Sequence, residues 1–402
     1  MLLHIPNPLS AVPSVRYGVF AASVAIAFAI SLLKLYQYGA CVDINEEEYQ
    51  TSLRTQQQRA QNLPPGTFFC TPSSFNNGTH VRRPLGFVRT VDELIYKAGY
   101  RCTSGGSKDL TQEELVRKKR AMEWTWEPTS CALLEFDPLL FTRHLERNPL
   151  LFIGDSISRQ QFISLRCLLG DYVRKIDDPF SDSTFFMPDK YSAEWRIQLS
   201  SVAVRENRTM SMFLRSDFLV RSRDLDVIKP GEDLELKRDP FNFAWSHLVP
   251  EFKYVVINTG AHWNKHVFNT SLPILEAYQI MINKVLEYFT TKHPCVRVFI
   301  RGSVYGHFNC SQYTEPLLNP RLPMPIAGQH NWYDMLTMNE LWKTSIHDFG
   351  NPQITYFDVS FTELRADSHA DPKKPDCLHY LLPGPMDSWN RLLYHELFKK
   401  LL

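Results

Sequence analysis

Residues 150–165, LLFIGDSISRQQFISL, pass from an unbroken apolar run into a helical pattern with a single glycine between them. Leu150 to Ile153 have the length and composition of a buried strand. Gly154 permits a sharp turn, and Phe162 and Leu165 recur at the spacing that turns one helix face toward a core. Ser156 falls where that helix begins. A serine at a strand-to-helix turn is either an exposed nucleophile or an ordinary N-cap, and Gly154-Asp155-Ser156 alone does not choose between the two.

The choice turns on PDCLHYLLPGPMDSWNRLLYHEL, residues 375–397. Two residues separate Asp376 from His379, and Pro383 and Gly384 follow. This spacing predicts a short turn in which the carboxylate fixes one imidazole nitrogen while the other faces a serine. Ser156, His379 and Asp376 then supply a hydroxyl to attack an acyl carbon, a base to take its proton, and an acid to hold the tautomer.

Between these segments the chain alternates. FKYVVINTG (252–260) and CVRVFIRG (295–302) read as strands, QITYFD (353–358) as a shorter one, and ILEAYQIMINKVLEYF (274–289) as a helix. Strands separated by helices predict an α/β fold, a mainly parallel sheet covered on both faces, with reactive groups beyond the strand ends. VAVRENRTMSMFLRSDFLV (202–220) predicts one antiparallel hairpin or edge strands, with Asn207 near the turn.

Composition bounds the rest. The 402 residues, 44% hydrophobic, suffice for one large core or a core with a small attached domain, and a net charge of +1 gives no support for a nucleic-acid-binding surface. YGVFAASVAIAFAISLL (17–33) carries no charge between Arg16 and Lys34. At helical rise it spans about 25 Å, the short end for a membrane helix. Tyr38 spoils the small-x-small pattern of a cleavage site before Ala40, so an uncleaved anchor is predicted over a signal peptide. Residues 1–16 then form a cytoplasmic tail, 34–65 a polar lumenal stem, 66–120 a small Cys-containing region with a polar helix around Thr111 to Lys119, and 121–402 the catalytic domain.

Eight cysteines, at 41, 70, 102, 131, 167, 295, 310 and 377, form no repeated metal pattern and predict mostly disulfides. Sequons at Asn77, Asn207, Asn269 and Asn309 fit a lumenal placement. His262 and His266 are four apart, but HWNKH lacks the glutamate of HExxH and no third ligand is apparent, so no metal is predicted. The Ser156 N–H is the first oxyanion donor expected, at a helix N-terminus. Gly154, Asn258 and Gly260 are further candidates. Arg159 either locks the turn or helps bind the donor, Trp263 either stacks on sugar or fills the core, and His262 is a candidate substrate contact. Asp358, Asp367 and His369 are looser ones.

GDSISRQQFISLRCLL, the W-x-W-x-P-x-x-C element at Trp124 to Cys131, VVINTGAHWNK (255–265), VFIRGSVYGHF (298–308) and DCLHYLLPGPMDSWNRLLY (376–394) occur in an order that resembles the trichome-birefringence-like proteins and the wider PC-esterase group, relatives of the SGNH/GDSL esterases. The resemblance covers roughly residues 120–402. It implies a three-layer SGNH/GDSL-like fold with Ser156 as nucleophile and Asp376 and His379 as its triad partners. It further implies polysaccharide O-acetylation in the Golgi, with esterase activity among broader relatives, and an oxyanion hole completed by a glycine N–H and an asparagine amide. Gln160 stands where plant members commonly have asparagine, the GAHWN segment carries one extra residue, and residues 66–105 match only loosely.

The combined expectation is a single-pass type II Golgi or other secretory-pathway O-acetyltransferase. It has no bound cofactor and no nucleic-acid partner, and its acceptor is a polysaccharide or glycan. Acetyl-CoA or a membrane-derived acetyl intermediate, supplied by a membrane protein, is the donor. An acetyl esterase using the same triad and a non-catalytic glycan-binding protein are the alternatives.

Overall fold

The structure, a computed structural model, describes residues 47–62, 68–102, 111–176, 196–202, 208–220, 241, 243–264, 272–323, 331–371 and 376–400. The chain divides into two compact units, Met1–Asn45 and Glu46–Leu402, and the first lies outside the described residues. The predicted anchor at 17–33, Cys41, Asn207, His266 and Asn269 also lie outside them. Among the described residues no helix is long and apolar enough to cross a membrane.

Within the segment expected to form a polar stem, Glu47–Gln61 is a helix. Leu53 and Gln56 face inward, and the Gln56 amide donates to the Glu135 carbonyl at 3.3 Å. Glutamine and arginine propensity favours the helix, and its inward side chains and the Arg59–Glu135 ion pair dock it. The following region is bound to the body rather than separate from it. Strand β1 (Phe68–Phe69) and β2 (Gly78–Arg82) pair respectively with β4 (Cys131–Ala132) and β3 (Trp124–Pro128). Disulfides Cys70–Cys131 and Cys102–Cys167 add covalent ties. The predicted polar helix spans Gln112–Met122, opened by a Thr111–Glu114 capping box.

The main sheet contains β5 (Leu150–Gly154), β6 (Val173–Ile176), β7 (Arg196–Ser201), β8 (Ser211–Arg215), β9 (Tyr254–Ile257), β10 (Arg297–Arg301) and β11 (Ile354–Phe357), in the order β11-β10-β9-β5-β8-β7-β6. The run from β11 to β8 is parallel, and β7 and β6 continue it antiparallel. β7 and β8 pair antiparallel on either side of Asn207, although β7 ends at Ser201, before the 202–220 stretch expected to supply the pair, and β8 is no edge strand. Met212, Phe213 and Leu214 are buried, and β8 lies directly beside β5. A strand buried on both faces loses the alternation that marks an edge.

The strand residues divide by parity. Leu150, Phe152, Phe213, Val256 and Phe299 join one cluster with residues of the helices Ser156–Leu169 and Pro385–Phe398. Leu151, Ile153, Leu214, Val255 and Ile300 join another with those of Ile274–Lys292 and Asp334–Phe349. The result is the three-layer α/β arrangement expected. From β5 the chain builds first toward β8 and later toward β9, so the carboxyl end of β5 sits at the reversal of strand order, where open sheets leave a crevice. A two-stranded ribbon, β12 (His369–Asp371) and β13 (Asp376–Tyr380), completes the fold.

Docking of the Glu47–Gln61 helix is testable. Leu53→Asp is expected to destabilise the protein by about 1–3 kcal/mol in chemical denaturation, and to open Arg54 and Arg59 to limited trypsin digestion while the remainder resists.

Candidate active site

Burial on both faces fixes β5, and the chain leaves it through Gly154 at φ 159°. A Cβ there would lie 2.4 Å from both the Asn258 carbonyl oxygen and Ser158 Oγ, so the turn admits only glycine. The helix cap is Asp155, not Ser156. Its carboxylate accepts from the N–H of Ile157 at 2.9 Å and of Ser158 at 3.4 Å. Ser156 is therefore the first helical residue, where no intrahelical acceptor exists for its N–H, and its hydroxyl is released from capping.

That hydroxyl donates to His379 Nε2 at 2.7 Å, and His379 Nδ1 donates to Asp376 Oδ2 at 2.7 Å. An ionised carboxylate only accepts, so the proton of the neutral imidazole resides on Nδ1 and Nε2 is left as the base. The second carboxylate oxygen, Oδ1, accepts from the N–H of Leu378 at 3.2 Å and of His379 at 3.0 Å. Burial by itself would raise the Asp376 pKa, but the hydrogen bonds from the His379 ring and these backbone groups outweigh it and hold the carboxyl well below its usual range. The interactions responsible persist above the ordinary carboxylate pKa and are lost as pH falls through the depressed one. Asp376 and His379 lie on β13 rather than in the free turn predicted from their spacing, because the ribbon with β12 and the Cys310–Cys377 disulfide hold them extended.

The surrounding candidates separate. The two N–H groups of the Asn258 amide are committed to the Arg301 carbonyl at 2.9 Å and to Ser303 Oγ at 3.1 Å, so this side chain ties β9 to β10 instead of offering an oxyanion donor. Gly260 is buried, and a Cβ on it would meet Ser303 Oγ at 2.4 Å, so it serves close packing. Trp263 is fully buried, donates to Thr259 Oγ1 at 2.9 Å and packs edge-on to Tyr278, so it belongs to the core and offers no face to a sugar. His262 is half-buried, 3.7 Å from an Asp217 oxygen already engaged by Arg215. Arg159 is half-buried on the first turn of the Ser156 helix, its backbone N–H donating to the Asp155 carbonyl. Among the described residues no cluster of His, Cys, Asp or Glu suits a metal ion.

Several supports escaped the sequence reading. The Gln160 side chain pairs with the Tyr380 backbone like a strand edge, its amide nitrogen donating to the Tyr380 carbonyl at 2.8 Å and its oxygen accepting the Tyr380 N–H at 3.1 Å. The helix that carries Ser156 is thereby locked to the strand that carries His379, one residue from the base. Arg301, almost wholly buried, donates to Ser158 Oγ at 3.2 Å and lies over the Trp389 ring, bracing the same turn. Burial lowers its pKa to about 10, opposed by the Asp155 carboxylate. A cation inside the apolar run VFIR was its available signal, and the Gln160 clamp had none without the spatial meeting of residues 160 and 380.

The chain matches, over residues 133–396, the family described as "GDSL/SGNH-like Acyl-Esterase family found in Pmr5 and Cas1p". The chain belongs to the PC-esterase family. It is 27% identical over 369 residues to protein trichome birefringence-like 25 of Arabidopsis thaliana, covering 80% of this chain and 76% of that one. It is 24% identical over 365 residues to trichome birefringence-like 9 of the same plant, covering 80% and 83%. With a probable xylan O-acetyltransferase 10 of Oryza sativa subsp. japonica it shares 26% over 316 residues, 68% of each chain.

Two substitutions test these assignments. Trp263→Ala is expected to cost about 3–5 kcal/mol of stability in denaturant titration, whereas a sugar platform would instead raise KM with little change in stability. Gln160→Ala is expected to lower the kcat for p-nitrophenyl acetate by about 10- to 100-fold through misplacement of His379, with Ser156 and His379 themselves unchanged.

Proposed function

We propose that this member of the PC-esterase family is a serine-dependent O-acetyltransferase that passes an acetyl group through Ser156 to a hydroxyl of a polysaccharide or glycan in the secretory pathway. The observation that carries the reading is the continuous array Ser156–His379–Asp376, with both contacts at 2.7 Å.

In the first half-reaction His379 Nε2 takes the Ser156 proton as Oγ adds to the acetyl carbonyl of the donor. The Ser156 N–H, at a helix N-terminus, is the proposed donor to the developing oxyanion, and collapse expels the donor group with the proton returned from the imidazolium. In the second half-reaction the same nitrogen takes the proton of an acceptor hydroxyl, whose oxygen attacks the acetyl-serine and regenerates Ser156. Asp376 keeps the ring in the required tautomer through both halves. Acetyl-CoA or an acetyl intermediate handed over by a membrane protein is the proposed donor. An anchor at residues 17–33, a lumenal catalytic unit and a Golgi or other secretory-pathway setting complete the proposal. The name of the rice relative supports a polysaccharide acceptor.

Hydrolysis is the second reading, favoured by the family's description as acyl-esterases, with water replacing the acceptor at the same acyl-serine. A glycan-binding protein without catalysis has no use for a hydroxyl, an imidazole and a carboxylate aligned in this way.

Intact-mass analysis after incubation with an acetyl donor is expected to show a gain of about 42 Da that Ser156→Ala abolishes and that added oligosaccharide discharges as acetylated sugar. Discharge to water alone establishes the esterase. Asp376→Asn is expected to leave the fold intact and reduce the rate of serine acylation by about 10⁴-fold; an unchanged rate would exclude the triad.

A further inference from the structure

Behind His379 two further imidazoles form a chain. His369 Nδ1 lies 3.0 Å from the His379 carbonyl oxygen, His369 Nε2 lies 2.7 Å from His307 Nδ1, and His307 Nε2 lies 2.8 Å from the Glu363 carbonyl oxygen. His369 and His307 are both buried. His307 is fixed further by its N–H, which donates to the Cys377 carbonyl at 2.9 Å, and His369 is stacked on Tyr380.

Proton counting makes this chain unusual. Carbonyl oxygens only accept, so both outer nitrogens, His369 Nδ1 and His307 Nε2, must carry hydrogen. Two neutral rings own two such hydrogens, and the inner nitrogens would then face each other with two lone pairs. Moving either hydrogen inward leaves a carbonyl facing a bare nitrogen. Only three hydrogens satisfy all three contacts, which makes the pair an imidazole and an imidazolium sharing the central proton.

We propose that His307 and His369 are positioning residues for His379, acting through the His369 N–H at its carbonyl, and that the pair takes up a third, shared proton that closes the chain. The proposal rests on His379 as the base of the reaction, while the proton count stands without it. Both sides of the balance are in the packing around the pair. Burial lowers the affinity of both rings for a proton, pushing His369 to about 3, and the neighbouring His307 ring and Arg117 oppose a further positive charge on His369. Asp376 raises the affinity of His369 and Asp367 that of His307, although Asp367 is shared with Arg365 at 2.9 Å. The Glu363 carboxyl, pushed up to about 7 by burial and hydrogen-bonded by Tyr305, supplies little negative charge below that pH. The tyrosine rings of Tyr305 and Tyr380 complete the surroundings. The central hydrogen bond works against desolvation, so the third proton is expected to enter between about 3, where the surroundings hold His369, and the ordinary 6.5.

The test follows the ring nitrogens of the full chain, labelled with ¹⁵N-histidine, from neutral pH down to the pH at which the fold is lost. The ¹³C′ resonance of His379 is followed alongside. The expected result is a single proton uptake shared by two rings, with the His379 carbonyl shifting at the same midpoint. His369→Asn places an amide N–H where Nδ1 stood but cannot reach His307. It is expected to abolish the shared titration while retaining most of the kcat for p-nitrophenyl acetate. His369→Ala is expected to lower kcat by about 10- to 100-fold with KM little changed. Two rings that keep two hydrogens throughout, with a His379 carbonyl that does not shift, would overturn the proposal, as would an alanine variant as active as the asparagine one. Failure of Ser156 to acylate, with the titration intact, overturns the catalytic reading and leaves the shared proton standing.

Discussion

The hydrogen bond between Ser156 Oγ and His379 Nε2 joins residues 223 positions apart, and the arrangement of the site depends on keeping its two ends in register. A contact of this kind contributes only about 1 kcal/mol to stability on its own. It cannot hold a helix terminus and a ribbon strand together, so the register comes from other interactions. On one side Gly154 lets β9 approach the turn, and Asp155 and Arg301 brace it. On the other, Cys310–Cys377 pins β13 at the residue after Asp376, and the Gln160 clamp spans the gap between the two. The disulfide closes a sequence separation of 67 residues, for which restriction of the unfolded chain contributes roughly 2–4 kcal/mol. The triad is consequently held by its neighbours, and its own hydrogen bonds remain available for proton transfer.

Asp376 shows how the same local geometry sets the electrostatics. One carboxylate oxygen meets the imidazole and the other meets two backbone N–H groups, so the ion is satisfied within four residues of chain. That arrangement keeps the base in a single tautomer without a distant cation. Asp387 in the following helix behaves differently. It accepts from Tyr100, Ser164 and the Gly384 N–H while half-buried, and burial raises its pKa despite them. Two aspartates eleven residues apart in sequence are therefore driven in opposite directions, one toward chemistry and one toward fastening the C-terminal helix against the Ser156 helix.

How much of this was legible in the sequence depended on distance along the chain. The apolar run 150–153, the helix after Ser156 and the D-x-x-H spacing are local patterns, and their readings led to strand, helix and hydrogen-bonded pair. The element Trp124 to Cys131 was legible as a motif, but its function was not. Trp126 donates to the Phe75 carbonyl and stacks on Phe361, while Cys131 bridges to Cys70, so the motif fastens the N-terminal region to the body. Asn258 and Trp263 left two readings open for a common reason. A polar or aromatic residue just beyond a strand end looks available when its partners, Arg301 with Ser303 and Thr259 with Tyr278, are unknown. The Gln160 clamp was hidden for the opposite reason, since it forms only with a backbone group brought to it by the fold.

Exposure bears on the transfer step. The side chains of His379 and Asp376 are 29% and 43% exposed, and Ser156 is half-buried, so the catalytic array lies open along one side. Two cavities, of about 320 Å³ beside Tyr356 and Glu363 and about 540 Å³ beside Arg117 and Tyr313, include none of the triad in their walls. On the proposed reading, an acyl-serine at this part-exposed array is reached by water unless another molecule covers it. Exclusion of water is then a task for the bound acceptor itself, a chain long enough to lie across the array with one hydroxyl at His379. Under the proposed reaction the same three residues would hydrolyse when no acceptor is bound and transfer when one is. The balance between the two reactions is set by how well the acceptor fits the groove, not by any change in the triad.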